Sequence, residues 1–135
     1  MKYGDGAISG KAGLLKHLQD FDAFIADKTR YENLLHVIEN QFIQLDQLEL
    51  INFNKGKRGV KVKISANEKP EVIFILANHN PRGTGLKKIL ESQEFAGYGK
   101  SQQFDLKLFV SSFADFGLHT KCMLNLSDFL QLFEK

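Results

Sequence analysis

The chain is poor in several features that would narrow its class at once. Among its 135 residues there is one cysteine, Cys122, so no internal disulfide framework can form and a reducing compartment suits it. There are two prolines and no tryptophan, and no Pro/Ser-rich stretch reads as a linker. No apolar run approaches the roughly 20 residues that cross a bilayer. The N-terminal residues lack the basic-then-apolar pattern of a secretory signal. The expectation is a cytoplasmic protein with no membrane partner. Metal spacing is missing too: His17, His36, His79 and His119 form no zinc pattern with one another or with Cys122. Cys122 has no nearby base in sequence and is expected as a buried structural thiol.

The residues present are those of a folded domain. Hydrophobic side chains make up 43% and charged ones 25%, ordinary values for a globular chain. Twelve phenylalanines predict an aromatic interior. The length suits one domain over residues 1–135. The net charge of +2 hides an asymmetry: residues 1–54 hold five basic and eight acidic side chains, residues 55–121 twelve and six. A basic middle section is either an anion-binding face or plain solvation.

Periodicity predicts mixed α/β architecture. Leu14, Leu15, Leu18, Phe21, Phe24 and Ile25 recur at helical spacing, with Ser9 as the expected cap. A second helix is expected to open on a Thr29–Glu32 capping box and to run through Leu34, Leu35, Ile38, Phe42 and Leu45. "LINF" (50–53) is a short apolar run. "VKVKIS" (60–65) and "FDLKLFVSS" (104–112) alternate as strands do, while the continuously apolar "EVIFILAN" (71–78) reads as a buried central strand. "GTGLKKIL" (83–90) predicts a short helix capped by Thr84. "KCMLNL" (121–126) is expected to be extended, and Ser127 to cap a last helix. The expected fold is two N-terminal helices packed on a central mixed sheet of about three to five strands, with short C-terminal helices.

Three stretches carry candidate chemistry. "GDGAISGKAG" (4–13) has the glycines and lysine of a phosphate-binding loop, but the P-loop pattern needs Gly where Asp5 stands and Ser or Thr where Ala12 stands. It reads as a glycine-rich approach to the first helix. In "NHNPRGTG" (78–85), His79, Arg82, Gly83 and Thr84 follow the expected central strand, where α/β sheets place ligands. That loop is an anion site or a polar turn. In "NKGKRGVKVK" (54–63), Lys55, Lys57, Arg58, Lys61 and Lys63 would track a phosphate backbone, or guard an edge strand against aggregation. No aromatic residue is interleaved with them, so base stacking is not indicated.

The segment "KYGDGAISGKAGLLKHLQDFDAFI" resembles the stretch that follows the E-x-K strand in PD-(D/E)XK, or restriction-endonuclease-like, domains. The resemblance implies that Lys2 is the motif lysine and that residues 11–27 form the helix behind it. It also implies Mg as the cofactor of a complete relative, with metal-dependent nuclease activity. The position two before Lys2 lies outside this chain, so its motif carboxylates are absent and no cofactor is expected here. The implied function is a nuclease-like, catalytically incomplete module that binds nucleic acid. The alternative is a small protein-binding module of the immunity, antitoxin or subunit-pairing kind, and a homodimer fits either.

Overall fold

A computed structural model describes residues 5–51, 63–65, 67–77, 83–111 and 120–134. The fold is mixed α/β, as the periodicity predicts, with two compact units: residues 1–22 with 69–135, and residues 23–68.

In the first unit, α1 (Asp5–Ile8) and a 3-10 turn (Gly10–Ala12) precede α2 (Leu14–Ala26), whose residues through Asp22 belong to this unit. Then come β1 (Glu71–Ala77), α4 (Thr84–Leu90), α5 (Gln93–Tyr98) and β2 (Asp105–Ser111), followed by α6 (Leu126–Leu130) and a 3-10 turn, Gln131–Phe133. The second unit is built on α3 (Lys28–Gln47).

β1 and β2 pair in parallel, from Glu71 opposite Asp105 to Ala77 opposite Ser111. Parallel strands need a crossover, and α4 and α5 lie within the one that joins them. The register sets two carboxylates against each other at its first pair. Lys69 offsets this: its Nζ lies 3.8 Å from the Asp105 carboxylate and donates to the Ser101 carbonyl at 3.0 Å.

Among the described residues the sheet has two strands, fewer than the three to five expected. The burial of β1 differs accordingly. Successive side chains of a strand point to opposite faces; Phe74 packs on Phe95, with ring centroids 6.4 Å apart, and Leu76 is buried, while Ile75 is 50% exposed. The apolar run therefore forms a strand covered on one face, not a buried central one. Residues 63–65, the described end of "VKVKIS", are not strand, and Lys63 and Ile64 are exposed. The segment "KCMLNL" is extended only around Leu124, which exchanges two backbone hydrogen bonds with Leu108. Thr120–Cys122 forms a 3-10 turn with no buried residue, so Cys122 is exposed instead of filling the core.

Apolar side chains from every layer of the first unit meet inside it. Leu18, Leu86, Leu90, Phe95, Phe104, Leu108 and Phe129 are its largest fully buried residues, and no buried residue among those described is polar or charged. Phe104 takes Phe21 of α2 edge-on at 5.7 Å and stacks on Tyr98 at 6.0 Å. Burial, then the carboxylates of Asp22 and Glu94, push the Tyr98 phenol above its ordinary pKa.

The caps sit one or two residues from their expected places. Asp27, not Thr29, caps α3 by accepting from the Arg30 N–H, because the helix already begins at Lys28. Gly83 precedes α4 and Thr84 is its first residue. Asn125, not Ser127, caps α6: its Oδ1 accepts from the Asp128 N–H at 2.8 Å and from the Ser127 hydroxyl at 2.7 Å. Ser9 precedes the 3-10 turn without a side-chain cap bond. Among the described residues no helix is long and apolar enough to cross a membrane.

Candidate functional site

The glycine-rich stretch folds into a tight hairpin of backbone. Gly10 takes a φ of +80°, a left-handed conformation that glycine adopts without steric cost. This lets the Gly13 N–H reach back to the Gly10 carbonyl at 3.0 Å. A Cβ on Gly13 would lie 2.6 Å from the Ser9 Cα and 2.7 Å from the Ile8 carbonyl oxygen, so the chain passes over itself only because that position has no side chain. α2 starts at the next residue, with Leu14 driven into the core.

This folded stretch forms one wall of an open cleft of about 990 Å³ within the first unit; α4 and the start of α5 form the other. One side supplies Ile8, Gly10, Lys11, Gly13, Lys16 and Gln19; the other supplies Thr84, Gly85, Lys88, Ile89, Ser92 and Glu94. The described parts of two stretches singled out in the sequence thus meet across this cleft, through Ile8, Gly10, Lys11 and Gly13 on one side and Thr84 and Gly85 on the other.

Both walls use the same local device. The tetrapeptide Gly-Leu-x-Lys occurs at Gly13–Lys16 and again at Gly85–Lys88. In each, the leucine is buried, Leu14 at 7% exposure and Leu86 at 0%. In each copy the glycine and the lysine three residues on line the cleft together; in the second, both stand on one face of α4. The repeated tetrapeptide is the signal from which Lys16 and Lys88, absent from the sequence-based candidates, could have been found.

The charges are unequally engaged. Lys16 bonds to Asp20 one turn along α2. Lys11 and Lys88 have no carboxylate partner among the described residues. Glu94, the acidic residue of the lining, accepts from the Gln19 amide at 2.7 Å. Among the described residues three lysines against one carboxylate make the cleft electropositive, and two of those cations have no carboxylate partner there. α4 has seven residues, so the side chains rather than its dipole carry the charge.

The other sequence candidates fall as follows. Gly83 is half-buried at the start of α4, and Thr84 is exposed and lines the cleft. Lys63 is exposed in the second unit. There the Ile64 N–H donates to Glu39 Oε1 at 2.6 Å, and His36 Nδ1 lies 3.2 Å from Glu39 Oε2. The Ile64 hydrogen bond foremost, then His36, with a smaller contribution from Lys63, holds the Glu39 carboxyl below its ordinary pKa. Lys2, Lys55, Lys57, Arg58, Lys61, His79 and Arg82 lie outside the described residues. Among the described residues no three His, Cys, Asp or Glu side chains converge as a metal site would require, and the cleft's chemistry is that of its lysines.

No protein-family model matches the chain, and neither the curated proteins nor the solved structures contain a match to it.

Proposed function

We propose that this chain is a nucleic-acid-binding module and that the cleft between α2 and α4 holds the phosphate backbone. The observation that carries this reading is the placement of Lys11 and Lys88, distant in sequence and without carboxylate partners among the described residues, on the two walls of one cleft. Lysines that face each other across a concave surface favour an anion that can bridge them, and they hold it as point charges. The resemblance to restriction-endonuclease-like domains supports the same ligand class, with Lys2 and the basic residues Lys55, Lys57, Arg58, Lys61 and Lys63 as further contributors. The reading is of binding, not cleavage. Phosphodiester hydrolysis needs carboxylates to hold a divalent ion, and the cleft lining offers Glu94, already bonded to Gln19.

The test is fluorescence anisotropy with labelled single- and double-stranded oligonucleotides at about 50 and 200 mM salt. Binding that weakens steeply with salt, and that falls about tenfold in a Lys11→Ala/Lys88→Ala double variant, is the expected result. Absence of binding at the lower salt, or binding unchanged in the double variant, would sink this reading.

One observation favours a second reading, pairing with another protein. In the second unit α3 leaves Leu34, Val37, Ile38 and Leu45 exposed, and Leu48 beyond it is 66% exposed. Such a stripe suits a partner helix. Sedimentation velocity tests it: a dimer that dissociates in Val37→Lys supports pairing with a second copy, and a monomer at all concentrations excludes it.

A further inference from the structure

The same cleft says which form of nucleic acid it takes, an inference that rests on the nucleic-acid reading above. Between its lysines the lining mixes polar groups, Gln19, Thr84 and Ser92, with apolar side chains, Leu15 on one wall and Ile89 on the other, and the buried Ile8 behind them. Lys11, Lys16 and Lys88 mark its charged rim, and its volume of about 990 Å³ stands at the upper end of the ~300–1,000 Å³ common for small-ligand pockets.

We infer that the cleft binds a short run of single-stranded nucleic acid and discriminates against duplex. A duplex displays phosphates on its outside and keeps its base faces stacked within. It would reach the lysines at the rim and leave the half-buried Leu15 and Ile89 uncovered. An unpaired strand presents phosphate and base together, so that one segment satisfies both parts of the lining. The concave space admits a few unstacked nucleotides and not the girth of a double helix. Among the described residues no aromatic side chain lines the cleft, so bases rest on aliphatic groups instead of stacking on rings. The preference is therefore for strandedness, with little choice among bases. Both walls are anchored by buried leucines of the core, Leu14 and Leu86, which keeps the cleft preformed.

The experiment compares the full chain's affinity for a labelled single strand of about twelve nucleotides with that for the duplex of the same sequence, at one fixed low salt. A second pair of measurements uses Ile89→Gln, which makes the lining polar and keeps every lysine. Single-strand binding at least about tenfold tighter than duplex is expected, with a several-fold loss for the single strand alone in Ile89→Gln. Duplex binding as tight as or tighter than single-strand binding overturns the inference and leaves the nucleic-acid reading standing. Binding of neither form overturns both. The wild-type comparison decides the matter even if the variant fails to fold.

Discussion

The amide of Gln19 donates to the Glu94 carboxylate at 2.7 Å, joining α2 to α5 side chain to side chain at the edge of the lysine-lined cleft. The bond fixes the one acidic group among the described lining residues on the same concave surface as Lys11, Lys16 and Lys88. That group repels any anion the lysines attract.

Replacing it should tighten binding. Glu94→Gln keeps the size and the hydrogen-bonding capacity while removing one negative charge. Oligonucleotide affinity at low salt is expected to rise a few-fold, and the gain to fade as salt screens the cleft. Titrations at two ionic strengths check this; an affinity that falls or stays level would show that Glu94 does not face the bound anion.

Two of the cleft glycines, Gly13 and Gly85, should respond oppositely to alanine. At Gly13 a methyl group meets backbone at 2.6 Å, which cannot yield as a side-chain end does. Gly13→Ala is expected to destabilise by about 1–3 kcal/mol and to weaken binding by moving the Lys11 turn. At Gly85 nothing lies within 4 Å of a new Cβ and the position is helical, so Gly85→Ala should be neutral or gain up to about 1 kcal/mol. Chemical denaturation of both variants decides it, and equal losses would contradict the close approach at Gly13.

Ser92 serves two helices with one hydroxyl. It donates to the Ile89 carbonyl at 2.7 Å at the end of α4 and accepts from the Phe95 N–H at 3.3 Å at the start of α5. Ser92→Ala removes both, and the expected cost is about 1–2 kcal/mol. Ser92→Thr should retain most of the stability. A thermal melt of Ser92→Ala that matches wild type would refute the capping role.

In the second unit, Glu39 is a pH-dependent tie. Because its folded-state pKa is depressed, its stabilising effect is fully present above the ordinary carboxylate value of about 4.3 and is lost as pH falls through the lower, folded value. The Ile64 amide, which donates to it, should report that titration in an NMR pH series between roughly 5 and 2. Its midpoint is expected below that of an exposed glutamate, and the pH response should vanish in Glu39→Gln. A midpoint at or above the ordinary value would mean that the Ile64 N–H does not hold the carboxylate.

Much of the chain's local structure was legible from its residues. The stripe from Leu14 to Ile25 lies in α2 and that from Tyr31 to Leu45 in α3, within a few residues of the expected limits. "EVIFILAN" and "FDLKLFVSS" contain the two paired strands. These signals are local: side-chain period reports helix or strand wherever one face must be buried. Caps were less legible, because Asp27 and Asn125 competed with Thr29 and Ser127, and only backbone geometry shows which oxygen reaches an unsatisfied N–H. The α5 helix leaves no signal in the sequence because Gln93–Tyr98 is six residues, too short to show a period.

Burial and the site belonged to the tertiary structure. An apolar run does not say how many neighbours a strand will have, so Ile75 could be read as buried until β1 proved covered on one face only. The residue type of Cys122 suggests the core, but the turn that holds it faces solvent. The sequence by itself determined the α/β class, the two long helices and the glycines that make the Gly10–Gly13 turn possible, since each depends on neighbours along the chain. Only the folded chain brought Lys11 and Lys88 to one cleft, because their meeting depends on where Leu14 and Leu86 are buried, and that is decided by contacts between segments far apart in sequence.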